Sequence, residues 1–317
     1  MPLGEFDLIE RYFTRASTRK DVLLGVGDDA AVLEVPADRA LVAATDTLVE
    51  GRHFLADAPA ESVGHQALAV NLSDLAAMGA EPAWALLSLS LPAADETWLR
   101  GFCAGLYGLA ERHGVALVGG DTVRGPRVIS VTALGFVDGS KALRRSGARA
   151  GDLLYVSGWP GEAAAGLEAL RGGAGRDAPD PLVRRYLYAE PRVALGRALQ
   201  GRASAAMDVS DGLLGDLGKL CAASGVGARL DLERLPVSAE LLRRHATAER
   251  ERFVLFGGDD YELLFTLPAA EAKRLEAAWS GAPPVHCIGE IEGGGGVRCT
   301  RNGIPASVTG GGYDHFA

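Results

Sequence analysis

A mixed α/β (α+β) chain of two domains is predicted by three observations. At 317 residues the chain exceeds the size at which a single hydrophobic core usually stops growing. Its first half alternates short, β-branched-rich apolar runs with longer segments whose apolar residues recur every three or four positions. A basic, apolar-poor stretch, Lys141 to Asp152, then interrupts the pattern before it resumes. The domains are accordingly drawn as residues 1–148 and 149–317. With 48% hydrophobic and 23% charged residues, the composition is that of an ordered globular protein.

Taken in order, the segment MPLGEFDLIERYF is amphipathic and acidic, without the basic and apolar regions of a secretory signal. Strands are expected at Val22 to Gly27, Ala40 to Asp46, Ala85 to Leu91, Val115 to Gly120 and Val128 to Val137. Between them HQALAVNLSDLAAMGA and ETWLRGFCAGLYGLAERHG predict helices, with Gly79 and Gly114 as C-caps. After the basic stretch comes a strand, LLYVSG, and helices are expected in GEAAAGLEAL, PRVALGRAL, DGLLGDLGKLCAAS and AAEAKRLEAAW. The remaining strands are placed at Phe253 to Phe256, Glu262 to Leu267 and His286 to Glu290, and a mobile loop at Arg171 to Asp180.

A net charge of −9 excludes a nucleic-acid partner of the usual kind, which requires a basic stripe. No segment reaches the roughly 20 apolar residues of a membrane span. Cys103, Cys221, Cys287 and Cys299 are widely spaced, implying neither a disulfide framework nor a zinc site, so a reducing cytoplasm is expected.

Two motifs mislead. Gly25 to Ala30 opens like a dinucleotide fingerprint, but Asp28 and Asp29 would face the pyrophosphate. Gly215 to Leu220 evokes a P-loop with the wrong glycine spacing, and Leu220 replaces the hydroxyl residue. Any ATP site here lacks a Walker motif.

The aspartates carry more information. Three candidate strands run into acid, in GVGDDAA, AATDTL and VGGDTVRG; if they share an edge, the carboxylates converge. Asp74 stands in a helix among apolar neighbours, where an unpaired charge is costly. In MDVSDGLLGDL, Asp208, Ser210 and Asp211 fall at a strand-to-helix junction, where Ser210 or Asp211 would also serve as a helix cap. Capping does not explain the whole set. Crowded carboxylates destabilise a fold unless cations neutralise them, and Mg²⁺ characteristically bridges a few carboxylates to substrate phosphates.

These segments, together with GEFDLIERYF, ATDTLVEGRHF, RRSGARAGD, FGGDDYELLF and GGGYDHF, stand in the order found in the thiamine-monophosphate kinase family, which the chain resembles over nearly its whole length. Shorter fragments are shared with aminoimidazole ribonucleotide synthetase, selenophosphate synthetase and a hydrogenase maturation factor. The resemblance implies an aminoimidazole ribonucleotide synthetase-like fold, a homodimer paired through the N-terminal sheets, ATP over the N-terminal acidic residues, and a C-terminal domain that completes the active site. It further implies Asp29, Thr45, Asp46, Asp74, Asp121, Asp208 and Asp211 as ligands of several Mg²⁺ ions. Gly120, Asp121, Arg145 and Ser210 match positions that contact ATP, and His53, Asp259 and Tyr313 positions that line the thiamine monophosphate pocket. Ala44 stands where many relatives carry a hydroxyl, which leaves only its backbone carbonyl for a metal.

The phosphate of such an acceptor is already anionic, so no general base is needed. No Ser/His/Asp or Cys/His arrangement is apparent, and direct in-line transfer is expected, with Arg145 as the catalytic cation. Arg144 and Arg145 also suit a solvated linker. Asp259, Asp260 and Glu262 all offer acids to a cationic ring; spacing does not choose among them, and the resemblance favours Asp259. Another ATP-dependent member of the superfamily, or a nucleotide-binding regulator without turnover, are the competing readings.

Overall fold

The computed structural model describes residues 4–15, 17, 19–175 and 180–310. It divides into two compact units: one comprises the residues up to Leu75 with Ala80–Ser140, and the other comprises Ala76–Gly79 with the residues from Lys141 onward.

The first unit begins with α1 (Glu5–Tyr12), whose amphipathic pattern buries Leu8, Tyr12 and the following Phe13. Then come β1 (Val22–Leu24), β2 (Val32–Leu33), β3 (Ala40–Val49), α2 (Ala60–Ala77), β4 (Glu81–Leu91), α3 (Glu96–His113), β5 (Ala116–Arg124) and β6 (Val128–Val137). Asp95 caps α3 at its start by accepting from Thr97 and Trp98 N–H, and Gly114 closes it in the left-handed conformation. Four strands form a sheet in the order β3-β6-β4-β5. Its buried face carries Leu48, Ile129, Val131, Ala133, Leu87 and Leu89, with α2 against it through Leu75. The opposite face is polar in the middle, where Thr45 meets Thr132 at 3.0 Å and Thr47 meets Ser130 at 2.7 Å. At one end of that face the antiparallel β1–β2 ribbon packs on Trp84, whose indole N–H donates to Asp21. The short β1 pairs only with β2, and no helix follows the Gly25 to Ala30 turn, so this is no dinucleotide fold.

The second unit contains β7 (Leu153–Ser157), α4 (Glu162–Arg171), α5 (Pro181–Leu187), α6 (Val193–Leu199), β8 (Ala205–Val209), α7 (Leu213–Ser224), β9 (Gly227–Asp231), α8 (Ala239–Arg244), α9 (Thr247–Phe256), β10 (Glu262–Leu267), α10 (Ala269–Ala278), β11 (Val285–Glu292), β12 (Gly296–Arg301) and β13 (Ile304–Pro305). Its seven strands run β13-β12-β9-β11-β7-β10-β8, antiparallel apart from the β12–β9 pair. The core joins Leu154, Val156, Met207 and Leu264 of the sheet to Leu213, Leu217 and Phe253 of the helices.

Several expectations change here. Phe253 to Phe256 is the last turn of helix α9, not a strand: a four-residue apolar run does not reveal its own period, and Glu249, accepting from Ala246 N–H, starts a helix that absorbs it. Helices α5 and α8 and strands β9 and β12 were not expected. The false P-loop lies inside α7. Of the expected mobile loop, residues 176–179 lie outside the described residues, while Arg171 ends α4 and Asp180 caps α5.

Candidate active site

In the first unit, Asp46 lies within β3 rather than at its end, on the face that α2 covers. Burial pushes its pKa above the ordinary value, and its carboxyl is hydrogen-bonded to that of Asp74 on α2. His53 follows in the turn after β3 and is near enough to act on the charge of Asp46. Its Nδ1 accepts from Val49 N–H at 3.0 Å, which leaves the proton of the neutral ring on Nε2. Three sequence-predicted residues thus meet: Asp46, Asp74 and His53. Phe54 beside them is buried core.

Asp121 does not join them. It lies in β5, the other edge of the sheet, in the row of Thr47, Ser130 and Ser88, about 14 Å from β3 across three strand spacings. The expected shared strand edge is therefore absent: strand order is fixed by long-range pairing, which local sequence does not encode. Asp29 is exposed in the turn after β1, its N–H bound to Asp28 at 2.8 Å. Thr45 faces away from Asp46, hydrogen-bonded across the sheet. Next to Asp121, Gly120 has φ 149°, and a Cβ there would lie 1.8 Å from the Leu87 carbonyl oxygen. Only glycine fits, leaving bare backbone beside Asp121.

In the second unit, two loops adjoin. The turn from β8 into α7 carries Ser210 and Asp211, and the segment entering β10 carries Asp259 to Tyr261. Asp259 N–H donates to Ser210 O and Tyr261 N–H to Val209 O, each at 2.9 Å. A Cβ on Gly258 would lie 2.7 Å from Ser210 O, so this close approach also requires glycine. Asp259 (φ 65°) and Tyr261 (φ 51°) are left-handed non-glycine residues, a strain of about 1–3 kcal/mol each that tends to gather at functional sites.

The helix-cap reading of Ser210 and Asp211 fails: the N-cap residue of α7 is Gly212, no side chain among the described residues caps the helix, and the loop before it is tied by a residue the sequence did not single out. Asp216, fully buried in α7, accepts from Ser210 N–H (3.0 Å) and Asp211 N–H (3.1 Å), while the Asp211 carboxylate itself takes Lys219 Nζ at 2.6 Å. No local motif announces this reach back across the turn.

The acids of the Gly257–Glu262 segment separate by their partners. Asp260 accepts from Gly161 N–H at 2.6 Å and Ala163 N–H at 3.3 Å, closing the N-terminus of α4; burial pushes its pKa to about 8. Glu262, fully buried, is held by Arg185, Arg192 and Ser157. Among the described residues the Asp259 carboxyl has only the Tyr261 hydroxyl, at 3.3 Å, as a hydrogen-bond partner, and burial, with the neighbouring Asp211 adding to it, pushes its pKa to about 6. Two of the three acids are committed to the fold, and Asp259 is not.

Asp208 is buried in β8, the edge strand, opposite Leu263. Along the free side of that strand runs the basic stretch, Ala206 N–H donating to Arg144 O at 2.8 Å. The Ser224 hydroxyl pins Arg145 O at 2.9 Å, while the exposed Arg145 guanidinium has no partner among the described residues. Tyr313 lies outside the described residues.

Among the described residues no group of three or more His, Cys, Asp or Glu side chains is arranged to hold a metal ion. The donors come as the crowded Asp46–Asp74 pair and as single carboxylates such as Asp211. This set fits Mg²⁺, which is usually held by one or two carboxylates together with waters and substrate phosphates.

Residues 27–137 match the family described as AIR synthase related protein, N-terminal domain, and residues 149–302 the corresponding C-terminal domain. Over 325 aligned residues the chain is 47% identical to the thiamine-monophosphate kinase of Escherichia coli (strain K12), covering 100% of this chain and 99% of that protein. The chain belongs to the thiamine-monophosphate kinase family. The crystal structure of the family member from Stenotrophomonas maltophilia K279a is 46% identical, covers 96% of this chain and 99% of its own, and superimposes with a TM-score of 0.88. A second family structure, AaThiL complexed with AMPPCP and TMP, is 34% identical over 99% of this chain and 97% of that one, with a TM-score of 0.78. The two-domain mixed α/β architecture is that of the family, and among the described residues no helix is long and apolar enough to cross a membrane.

Proposed function

We propose that this enzyme transfers the γ-phosphoryl group of ATP directly to the phosphate of thiamine monophosphate, yielding ADP and thiamine diphosphate, with Mg²⁺ required. The observation that carries this reading is whole-length kinship with a structure that holds AMPPCP and TMP together. The Asp46–Asp74 pair supports the metal requirement, since the desolvated Asp46 shares a hydrogen bond with Asp74 only while one of the two holds a proton, the positive charge a bound cation would supply instead.

Asp29, Thr45, Asp46, Asp74 and Asp121 of the first unit, and Asp208 and Asp211 of the second, are the proposed Mg²⁺ ligands. Bound Mg²⁺ supplies charge neutralisation on the phosphate oxygens. The chain itself does the positioning. Gly120 and Asp121 offer unobstructed backbone to the nucleotide, and Ser210, its amide held by Asp216, offers its hydroxyl. Arg145, with a pinned backbone and an unpartnered guanidinium, is suited to the charge that develops on the transferring group. His53 is a proposed contact of the acceptor, and Tyr313, which matches the same pocket by resemblance, is another. No nucleophile is needed, because the acceptor phosphate, with a second pKa of about 6, is an anion at neutral pH. The enzyme acts in the cytoplasm as a homodimer, a reading supported by exposed Leu41, Leu86 and Val123 on strands of the first sheet.

Incubation with ATP, Mg²⁺ and thiamine monophosphate should give ADP and the diphosphate in equal amounts, and excess chelator should abolish both turnover and nucleotide binding. With γ-labelled ATP and no acceptor, denatured protein should carry no label. ATP hydrolysis without diphosphate, or stoichiometric labelling, would overturn the reading.

Asp259 is the proposed contact for the cationic part of the acceptor. Its unfolded pKa is about 3.9 and its folded one about 6, so between these values the native state holds a proton that the unfolded state has lost. Native stability therefore declines as pH rises through that window. Asp259→Asn should remove the decline, melt higher than the parent at pH 7.5, and raise the acceptor KM by at least about tenfold, the scale of one charged contact. A variant that melts lower with an unchanged KM would remove Asp259 from the site.

A further inference from the structure

A lysine inside the false P-loop sits on Asp211, one of the proposed metal ligands of the second unit. Lys219 Nζ lies 2.6 Å from Asp211 Oδ2 and 2.8 Å from Asp216 Oδ1. The other oxygen of Asp216, Oδ2, accepts the Ser210 and Asp211 amides. One ammonium is thus shared between a carboxylate that shapes the loop and a partly exposed carboxylate whose ammonium partner a metal cation would have to displace. Asp216 is fully buried, whereas the side chains of Lys219 and Asp211 are 45% and 34% exposed. The Asp216 contact is therefore the anchored one and the Asp211 contact the exchangeable one.

We propose that Lys219 is a resident counter-ion of the metal subsite at Asp211: its ammonium and a divalent cation compete for the Asp211 carboxylate, while its hold on Asp216 keeps the Ser210–Asp211 loop in shape. This rests on the assignment of Asp211 as a metal ligand. The chemistry is an exchange of hydrogen-bonded ammonium for oxygen-coordinated Mg²⁺ at one carboxylate, with no covalent step. A lysine ammonium is charged at neutral pH, so the competitor is a full positive charge placed on the Asp211 carboxylate. The positive charge lowers the affinity of the subsite for a divalent ion and spares Asp211 the repulsion of Asp259 when no such ion is bound.

Lys219→Gln removes the charge and keeps a donor toward Asp216, one bond shorter; Lys219→Arg keeps the charge. Mn²⁺ binding to the nucleotide-free protein, followed by its paramagnetic resonance signal, is the readout. Lys219→Gln should bind one ion roughly tenfold more tightly than the parent, the size expected for removing a unit charge beside a partly exposed cation site. Lys219→Arg should stay within about twofold of the parent on the same ground. The melting temperature of Lys219→Gln should fall in chelator and recover in saturating Mg²⁺, because the ion replaces the missing charge on Asp211. A lysine that only anchors Asp216 would lower stability equally in both buffers and leave Mn²⁺ affinity unchanged, and that result overturns the proposal. Asp211→Asn separates the two levels: loss of one bound ion with unchanged affinity in Lys219→Gln defeats the counter-ion alone, whereas an unchanged ion count in Asp211→Asn defeats the ligand assignment as well.

Discussion

Asp46→Asn is expected to lower kcat by at least about 10²–10³-fold, the scale of losing one preorganised electrostatic group, while leaving the protein folded. The pairing with Asp74 makes this a sharp expectation. Burial raises the pKa of Asp46, so above the ordinary carboxylate range the native state retains a proton that the unfolded chain has released, and native stability falls as pH climbs through the raised value. Asn in its place keeps a hydrogen bond to Asp74 and removes that penalty. In chelator the variant should therefore melt at or above the parent at neutral pH, and the stabilisation that Mg²⁺ with nucleotide gives the parent should be largely lost. Steady-state assays of ADP release beside melting curves at two pH values test both halves. Near-normal turnover removes Asp46 from the metal site, and a large drop in melting temperature shows that its carboxylate serves the fold instead.

The largest expected stability loss is at Glu262, where the sequence offered a substrate-facing acid. Its carboxylate, fully buried in β10, receives Arg185 Nη2 at 2.6 Å, Arg192 Nε at 2.7 Å and Ser157 Oγ at 2.5 Å. Burial works against this charge, but Arg192 and Arg185 outweigh it and hold the pKa below the usual carboxylate range. Glu262→Gln leaves two guanidiniums with side chains only 11% and 15% exposed and no anion between them. Breaking a buried ion pair in this way costs about 3–5 kcal/mol. For a unit of this size that corresponds to a fall in melting temperature of roughly 10 °C. The sign with pH follows: a depressed pKa contributes stability above the unfolded value near 4.5, and the contribution fades as pH drops through the lower folded value. Parent and variant should thus converge in acid. A variant melting within a degree of the parent at pH 7 would show that the two arginines find other partners.

Much of the fold was legible because it is local. The Val128 to Val137 strand has the limits its alternating, β-branched composition gives, and α3 ends at the C-cap read from the sequence, Gly114. What misled was short and ambiguous. FVLF was taken for a strand, when the helix start at Thr247 lay six residues upstream. Strands β9 and β12 carry Arg and Gly within five- and six-residue segments, too brief for a period to emerge.

The sequence by itself determined the family, the order of strands and helices in the first half, and which residue types are available for metal, nucleotide and acceptor. These properties belong to residues and their near neighbours, and hydrophobic period and motif spacing express them directly. Tertiary structure alone decided which acids meet. It joined Asp46 to Asp74 and set Asp121 at the opposite edge of the sheet, because strand order depends on pairing between distant segments. It also committed Asp260 to a helix terminus and Glu262 to two arginines, set Asp259 apart from both, and placed Lys219 on Asp211. Adjacent residues in one segment received unlike roles because burial is set by what packs against each side chain, and a buried charge persists only where the fold supplies its partner.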